Sequence, residues 1–168
     1  MVKFNTVPDL HIDQALETDI PLILTFIKKL AEYERLASTV VATEEGLREY
    51  LFGTNRYAEV VIARIKSQPV GFALFYYNFS TFLGRPGLYL EDLFVLPEFR
   101  GQGVGKALLV YLAKLTIDRK WGRFEWMVLD WNSSAIGFYK SLGAVPMNDW
   151  RLFRLSGDAL TNLADRRT

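Results

Sequence analysis

The chain has 168 residues, half of them hydrophobic and 14 % aromatic, enough for one domain that buries roughly 70 % of its unfolded-chain surface without metal or disulfide staples. Twenty Lys and Arg against nineteen Asp and Glu give a net charge of +1, too little for a general hold on nucleic acid. The absence of cysteine and the single histidine, His11, exclude disulfides, a cysteine nucleophile and Cys-based or multi-histidine metal sites, so no metal cofactor is expected.

No apolar run approaches the roughly 18 residues of a membrane span. Met1-Val2-Lys3-Phe4-Asn5 lacks the apolar stretch of a signal peptide, so a soluble, cytoplasmic protein without a membrane partner is expected. No repeat or linker divides the chain, which reads as a single domain over 1–168 with residues 1–9 as a lead-in.

Residues 10–15 read as a first strand. From Thr18 or Asp19 as N-cap, Ile20, Ile23, Leu24, Ile27, Leu30 and Ala31 recur at helical spacing, and this helix ends near Glu34. Thr43 caps a second helix with Leu47, Tyr50 and Leu51 on one face, stopped by Gly53. Residues 57–65 and 70–77 are β-branched and aromatic and flank Ser67-Gln68-Pro69, which predicts an antiparallel pair, and 88–96 is a further strand. A helix over 103–119 and a strand over 124–129 complete a βαβ unit. Asn132 or Ser133 caps a helix that Gly143 ends, 150–155 reads as a last strand, and Ser156 caps a terminal helix. The order β-α-α-β-β-β-α-β-α-β predicts a mixed α/β fold with helices on both faces of the sheet.

Three glycines at alternate positions, Gly101, Gly103 and Gly105, follow the strand ending at Leu96 and open a helix. Glycines there let successive N–H groups turn inward as an anion nest at the positive end of a helix dipole, which suits a pyrophosphate. A Walker loop fails, because Arg100 stands where its first glycine belongs and Ala107 follows Lys106. A dinucleotide fingerprint starting at Gly101 would need a glycine at Lys106.

Arg100-x-x-Gly103-x-Gly105 resembles the acyl-CoA pyrophosphate motif of the GNAT N-acetyltransferases. Tyr89-Leu90-Glu91-Asp92, Leu129-Asp130-Trp131-Asn132, Phe138-Tyr139-Lys140, Leu142-Gly143-Ala144 and Trp150-Arg151-Leu152-Phe153 are similar to the diamine branch of that superfamily, the spermidine/spermine and thialysine acetyltransferases. The likeness spans about residues 10–164. It implies a GNAT fold with a central, mostly antiparallel sheet, acetyl-CoA as co-substrate, a small-molecule primary amine as acceptor, and a homodimer.

The resemblance also implies roles for residues. Phe94, Val95, Arg100, Gly101, Gln102, Gly103, Val104, Gly105, Lys106, Asn132 and Tyr139 would hold acetyl-CoA, with the Val95 N–H on the thioester oxygen. Tyr139 would be the general acid toward the departing thiolate, or a packing tyrosine beside Phe138. Asn132, seven residues earlier, would bond the pantetheine arm, cap its helix, or do both. Glu91 would be the base, acting through water. In an alternating strand Glu91 and Leu93 share one face and Asp92 and Phe94 the other, which leaves Asp92 a structural carboxylate, bonded to loop backbone, at the edge of the acceptor site. His11 reads as a surface or packing residue. Since the chain has no cysteine, direct attack in a ternary complex is the simpler route.

The acceptor's identity turns on two departures. Polyamine enzymes resembling this chain carry acids where Lys29 and Ser80 stand here, so lysine-like amines bearing a carboxylate become reasonable, with Lys29 or Arg85 contacting it. Residues 97–123 carry six basic residues (Arg100, Lys106, Lys114, Arg119, Lys120, Arg123) against Glu98 and Asp118. Lys114, Arg119 and Lys120 read as a solvated face, Arg100 and Lys106 as cofactor contacts. Residues 32–59 carry six acids against three arginines, which would steer a cation or simply face solvent. Two other functions stay open: acetylation of a protein or peptide amine, and a CoA-binding sensor without turnover.

Overall fold

The computed structural model describes residues 2–3 and 7–166, with side chains from residue 7 on. The chain forms two compact units, Met1–Leu129 and Asp130–Thr168. In the first, strands β1 (Val2–Lys3), β2 (Leu10–Gln14), β3 (Glu59–Ile65), β4 (Gln68–Ser80), β5 (Arg85–Val95) and β6 (Phe124–Trp126) stand side by side in that order. Every neighbouring pair is antiparallel except β5 and β6, which run parallel. That exception follows from the helix α3 (Val104–Asp118), which carries the chain back along the sheet between them.

Helices α1 (Ile20–Tyr33) and α2 (Glu44–Phe52) precede β3. Ile23, Phe26 and Leu51 from these helices share one core cluster with Val60, Ile62, Phe72 and Phe94 of the sheet. Phe26 stacks on Phe72 at 5.4 Å between ring centroids and lies 6.0 Å from Phe94. Strand alternation then sends Val61, Ala63, Ala73 and Phe75 to the other face, where they are fully buried in turn. The stripe Val104, Ala107, Leu108 and Leu112 of α3 is buried as well, so helices serve both faces of the sheet as the element order requires.

Several boundaries differ from expectation. The β3–β4 turn is Lys66-Ser67, both at positive φ, with Ile65 paired to Gln68, a two-residue hairpin whose twist matches its strands. Pro69 consequently lies inside β4. The strand expected over 124–129 stops at Trp126.

In the second unit, α4 (Ser133–Ser141) and α5 (Gly157–Ala164) form as expected. The strand expected over 150–155 does not form, and these residues are exposed coil. Alternation in Trp150, Leu152, Phe153 and Leu155 supplies strand-forming side chains, but a strand exists only through pairing, and no sheet partner meets this stretch among the described residues.

Candidate active site

The site is built around one irregularity in β5. Leu74 of β4 pairs with Asp92 and the next residue, Phe75, with Leu90, so Glu91 has no residue opposite it and forms a β-bulge. The alternation expected from the sequence holds from Asp92 to Phe94 and breaks across Glu91. Asp92 shares the α1–α2 face with Phe94, because its partner Leu74 packs against that core. Leu90 lies on the opposite face with Phe75, as Leu93 does with Ala73, so the phase of the strand changes across Glu91. An inserted residue shifts the alternation by one, but Glu91 and Asp92 at the shift are both polar, so the hydrophobic pattern does not locate it.

The bulge separates two unlike carboxylates. Glu91 is exposed. Asp92 is largely buried, and desolvation, the Glu91 charge and the Glu34 charge, in that order, push its carboxyl from the ordinary 3.8 up to about 6. Burial also raises Glu34, at the end of α1. The loop-backbone bond expected for Asp92 is not found, and no hydrogen bond reaches its carboxylate among the described residues. Tyr76 of β4, on the same face, has its phenol raised by burial and then by Glu91.

Beyond the bulge the edge of β5 is open. The bond from Leu96 N–H to the Val70 carbonyl, 2.9 Å, makes Gly71 and Val95 a non-hydrogen-bonded pair, so the Val95 N–H and C=O point away from β4. On that side β6 pairs only with Leu88, Tyr89 and Leu90. The Val95 carbonyl accepts instead from Arg100 Nε at 2.9 Å. The Arg100 guanidinium lies 4.6 Å from the centre of the Tyr33 ring and 5.5 Å from that of Phe94. Arg100 therefore locks the turn out of β5, a local task the motif alone did not reveal.

The loop then enters α3. Gly101 and Gly103 take positive φ of 73° and 91°, which side chains rarely adopt. Gly105 is different. It lies inside α3 with ordinary φ, and a Cβ there would come no nearer than 3.8 Å to Val95 Cγ2, so nothing among the described residues requires a glycine. A glycine without an internal reason leaves room for something approaching from outside. Val104 is buried beneath the loop, Gln102 donates from Nε2 to the Glu98 carbonyl at 2.8 Å, and Lys106 is exposed. Arg119, expected on a solvated face, is paired with Glu59 through two nitrogens, one at 2.7 Å.

Asn132 and Tyr139 belong to the second unit. The Asn132 side chain accepts from the Ala135 N–H at 3.2 Å and so caps α4. Tyr139 lies two helical turns later on the same side of α4, its ring 5.5 Å from that of Phe138.

The two residues expected to select the acceptor are placed unlike the rest. Lys29 is exposed on α1. Ser80 is buried at the far end of β4, where its Oγ accepts from the Leu83 N–H at 3.2 Å and shapes the β4–β5 turn. Arg85, opposite Ser80, shares that remote position. Sequence reasoning missed a cavity of about 220 Å³ on the first unit, whose lining includes Gln14, Arg56, Tyr57, Glu59, Val60 and Tyr76. Its walls come from three strands and the turn after α2, so no local spacing announces it.

Comparison with known proteins places the chain among acetyltransferases by sequence and fold. The model of the family described as Acetyltransferase (GNAT) family matches residues 27–144. A thialysine N-epsilon-acetyltransferase from Sus scrofa is 39 % identical over 166 residues, which cover 92 % of this chain and 97 % of that protein. An L-ornithine N5-acetyltransferase from Arabidopsis thaliana is 32 % identical, covering 93 % and 92 % respectively. An integron cassette protein from V. cholerae superposes with a TM-score of 0.78 at 28 % identity, over 94 % of this chain and 99 % of that one. An aminoglycoside acetyltransferase from a soil metagenome, 19 % identical with a TM-score of 0.75 over 89 % of this chain and 97 % of that one, shares the fold.

Proposed function

The chain belongs to the acetyltransferase (GNAT) family, and from that premise we propose that it transfers acetyl from acetyl-CoA to a primary amine of a small molecule. The family model runs through residues 27–144, across the boundary between the two units, which supports treating both as one functional domain. The observation that carries the reading is the open edge of β5, with its outward Val95 N–H and adjacent carboxylates, running into a glycine loop whose Gly105 has no internal reason.

The chain's groups fit an acyl-CoA. A pyrophosphate would lie against the N–H groups of Gly101 to Gly105 at the start of α3, with Lys106 as counter-charge. The amides of a pantetheine arm suit the unpaired edge of β5 as an added strand would. Phe94 packs the strand from beneath, and the Asn132 carboxamide, whose oxygen caps α4, would also meet the arm.

The Val95 N–H would donate to the thioester oxygen and stabilise charge as it develops there. The amine nitrogen attacks the carbonyl carbon, its C–N bond forming as the C–S bond breaks. The amine's proton passes through water to Glu91 or directly to Asp92, and the thiolate takes a proton from the Tyr139 hydroxyl. A carboxyl near 6 is better matched than an ordinary one to remove a proton near neutral pH, so the deeper Asp92 joins Glu91 as a base in this reading. A homodimer is also part of it, supported by exposed Phe79, Phe82, Trp150 and Phe153, and light scattering of the purified chain tests that.

Replacing Tyr139 by Phe tests the mechanism. Release of CoA thiol in the presence of small amines is expected to fall about 100-fold or more, with acetyl-CoA affinity by calorimetry unchanged. Unchanged turnover would leave Tyr139 as packing, and acetyl-CoA binding with no turnover of any amine by the unsubstituted protein would favour a sensor.

A further inference from the structure

The cavity takes Val60 and Tyr76 from the α1–α2 face of the sheet, near the carboxylates of β5, and Gln14 and Glu59 from strand positions that face the other way. Val60 in its wall pairs with Leu74, and Leu74 pairs with Asp92. The three residues stand abreast on one face, so two strand spacings, about 10 Å, separate the cavity wall from Asp92. Tyr76, one rank further along β4 on that face, also lines the cavity, and its phenol is raised first by burial and then by the Glu91 charge.

The charges in the cavity are not equivalent. The Glu59 carboxylate is already held by Arg119 through both oxygens. Arg56, exposed at the rim, has no hydrogen bond or ion pair among the described residues. It is therefore the cavity's uncompensated charge, on a guanidinium whose geometry suits a carboxylate. Gln14, bonded through Nε2 to Glu59 at 3.3 Å, keeps a free amide oxygen for an ammonium donor.

We propose that this cavity is the head-group subsite for a diamino-acid acceptor, Arg56 binding its α-carboxylate while its side-chain amine reaches the Glu91–Asp92 pair. This rests on the small-amine reading above and narrows it. A polyamine would carry a second ammonium to the position of Arg56 and meet like charge, whereas a lysine-like acceptor would bring a carboxylate there. Arg85 at the hairpin end is too remote for the same task, and Arg56 takes the place the sequence reading offered to Lys29 or Arg85.

The experiment is steady-state acetylation by the full chain of three matched pairs that differ only by the carboxylate: L-lysine and cadaverine, L-ornithine and putrescine, thialysine and its decarboxylated analogue. The unsubstituted protein is expected to prefer the amino acid in at least one pair. Arg56→Ala should lower that preference, taken as the ratio of kcat/KM values, by about tenfold or more through KM. Arg56→Glu should lower it further, and Arg56→Lys, which keeps the charge without the fork, should retain part of it. A preference for the diamines, or Arg56 variants that change both members of a pair alike, overturns the subsite and leaves the small-amine reading standing. Turnover of none of the six amines overturns both.

Discussion

The two ends of the β4–β5 hairpin follow opposite rules. At the turn end, Ser80 Oγ takes the Leu83 N–H, Asn78 Nδ2 donates to Glu125 at 3.0 Å, and Arg123 pairs with Glu125 at 2.8 Å. Here charges and amides are met by side chains of the same chain, although Asn78 Oδ1 and Arg123 Nε are buried without a hydrogen bond among the described residues. At the other end, among the described residues, a carboxyl is largely buried without a hydrogen bond, a strand edge stops short of its partner, and a helix begins with a glycine that no neighbour demands. Local rules are usually broken where a protein is shaped for something outside itself. The difference between the ends therefore argues for the site independently of the residues' resemblance to a motif.

The largest test of this contrast is Asp92→Asn. A carboxyl raised from 3.8 to about 6 favours its neutral form in the folded chain, so between those values the folded state binds more protons than the unfolded one. The stability it contributes is present below about 4 and is lost as pH rises through 6, about 3 kcal/mol in all. Asp92→Asn is expected to match the unsubstituted protein in stability near pH 4 and to exceed it by up to that amount at pH 8, as read by urea unfolding. The same variant should lose at least about tenfold in kcat/KM and the acid limb near pH 6. A variant less stable at pH 8 would mean that Asp92 is bonded as the hairpin's other end is, and the contrast would fail.

Next in size is the pair Gly103→Ala and Gly105→Ala. At Gly103, φ of 91° and a Cβ 3.3 Å from Val7 Cγ2 predict a loss of about 1–2 kcal/mol. At Gly105 the helix gains up to about 1 kcal/mol from the added Cβ, while KM for acetyl-CoA rises about tenfold as the methyl intrudes on the approach. Thermal unfolding beside acetyl-CoA titration separates the two. Equal losses of stability would make both glycines internal requirements and remove one of the three irregularities from the site.

Periodicity made most of this fold legible, and the physical reason is burial. Helices α1 and α3 and strands β3 to β5 each bury a face in the core, and each left its period in the sequence. What escaped depends on partners rather than on period. The residues over 150–155 have strand composition and no pairing strand among the described residues. β6 stops at Trp126 although apolar residues continue. The bulge at Glu91 exists only as a register between two strands. In the candidate site, the glycine spacing and the Glu91-Asp92 pair were readable as chemistry, but their ranking was not, since which carboxylate is buried depends on how β5 meets β4. Arg56 escaped for the same reason, being one wall of a cavity that distant segments assemble.

The smallest expected effect is at the regular end. Ser80 stands where polyamine-type relatives would carry an acid, yet its hydroxyl is buried in the turn and lies six residues along β4 from Leu74, the partner of Asp92, roughly 20 Å away. Ser80→Ala should cost about 1 kcal/mol of stability for the lost hydrogen bond and leave KM for the amine unchanged. If KM rises instead while stability holds, the hairpin tip touches an acceptor. Its own acceptor carboxylates are too distant for that, so the tip would have to meet the site of a second copy, and the exposed Phe79 and Phe82 beside it would become the first residues to substitute in a test of assembly.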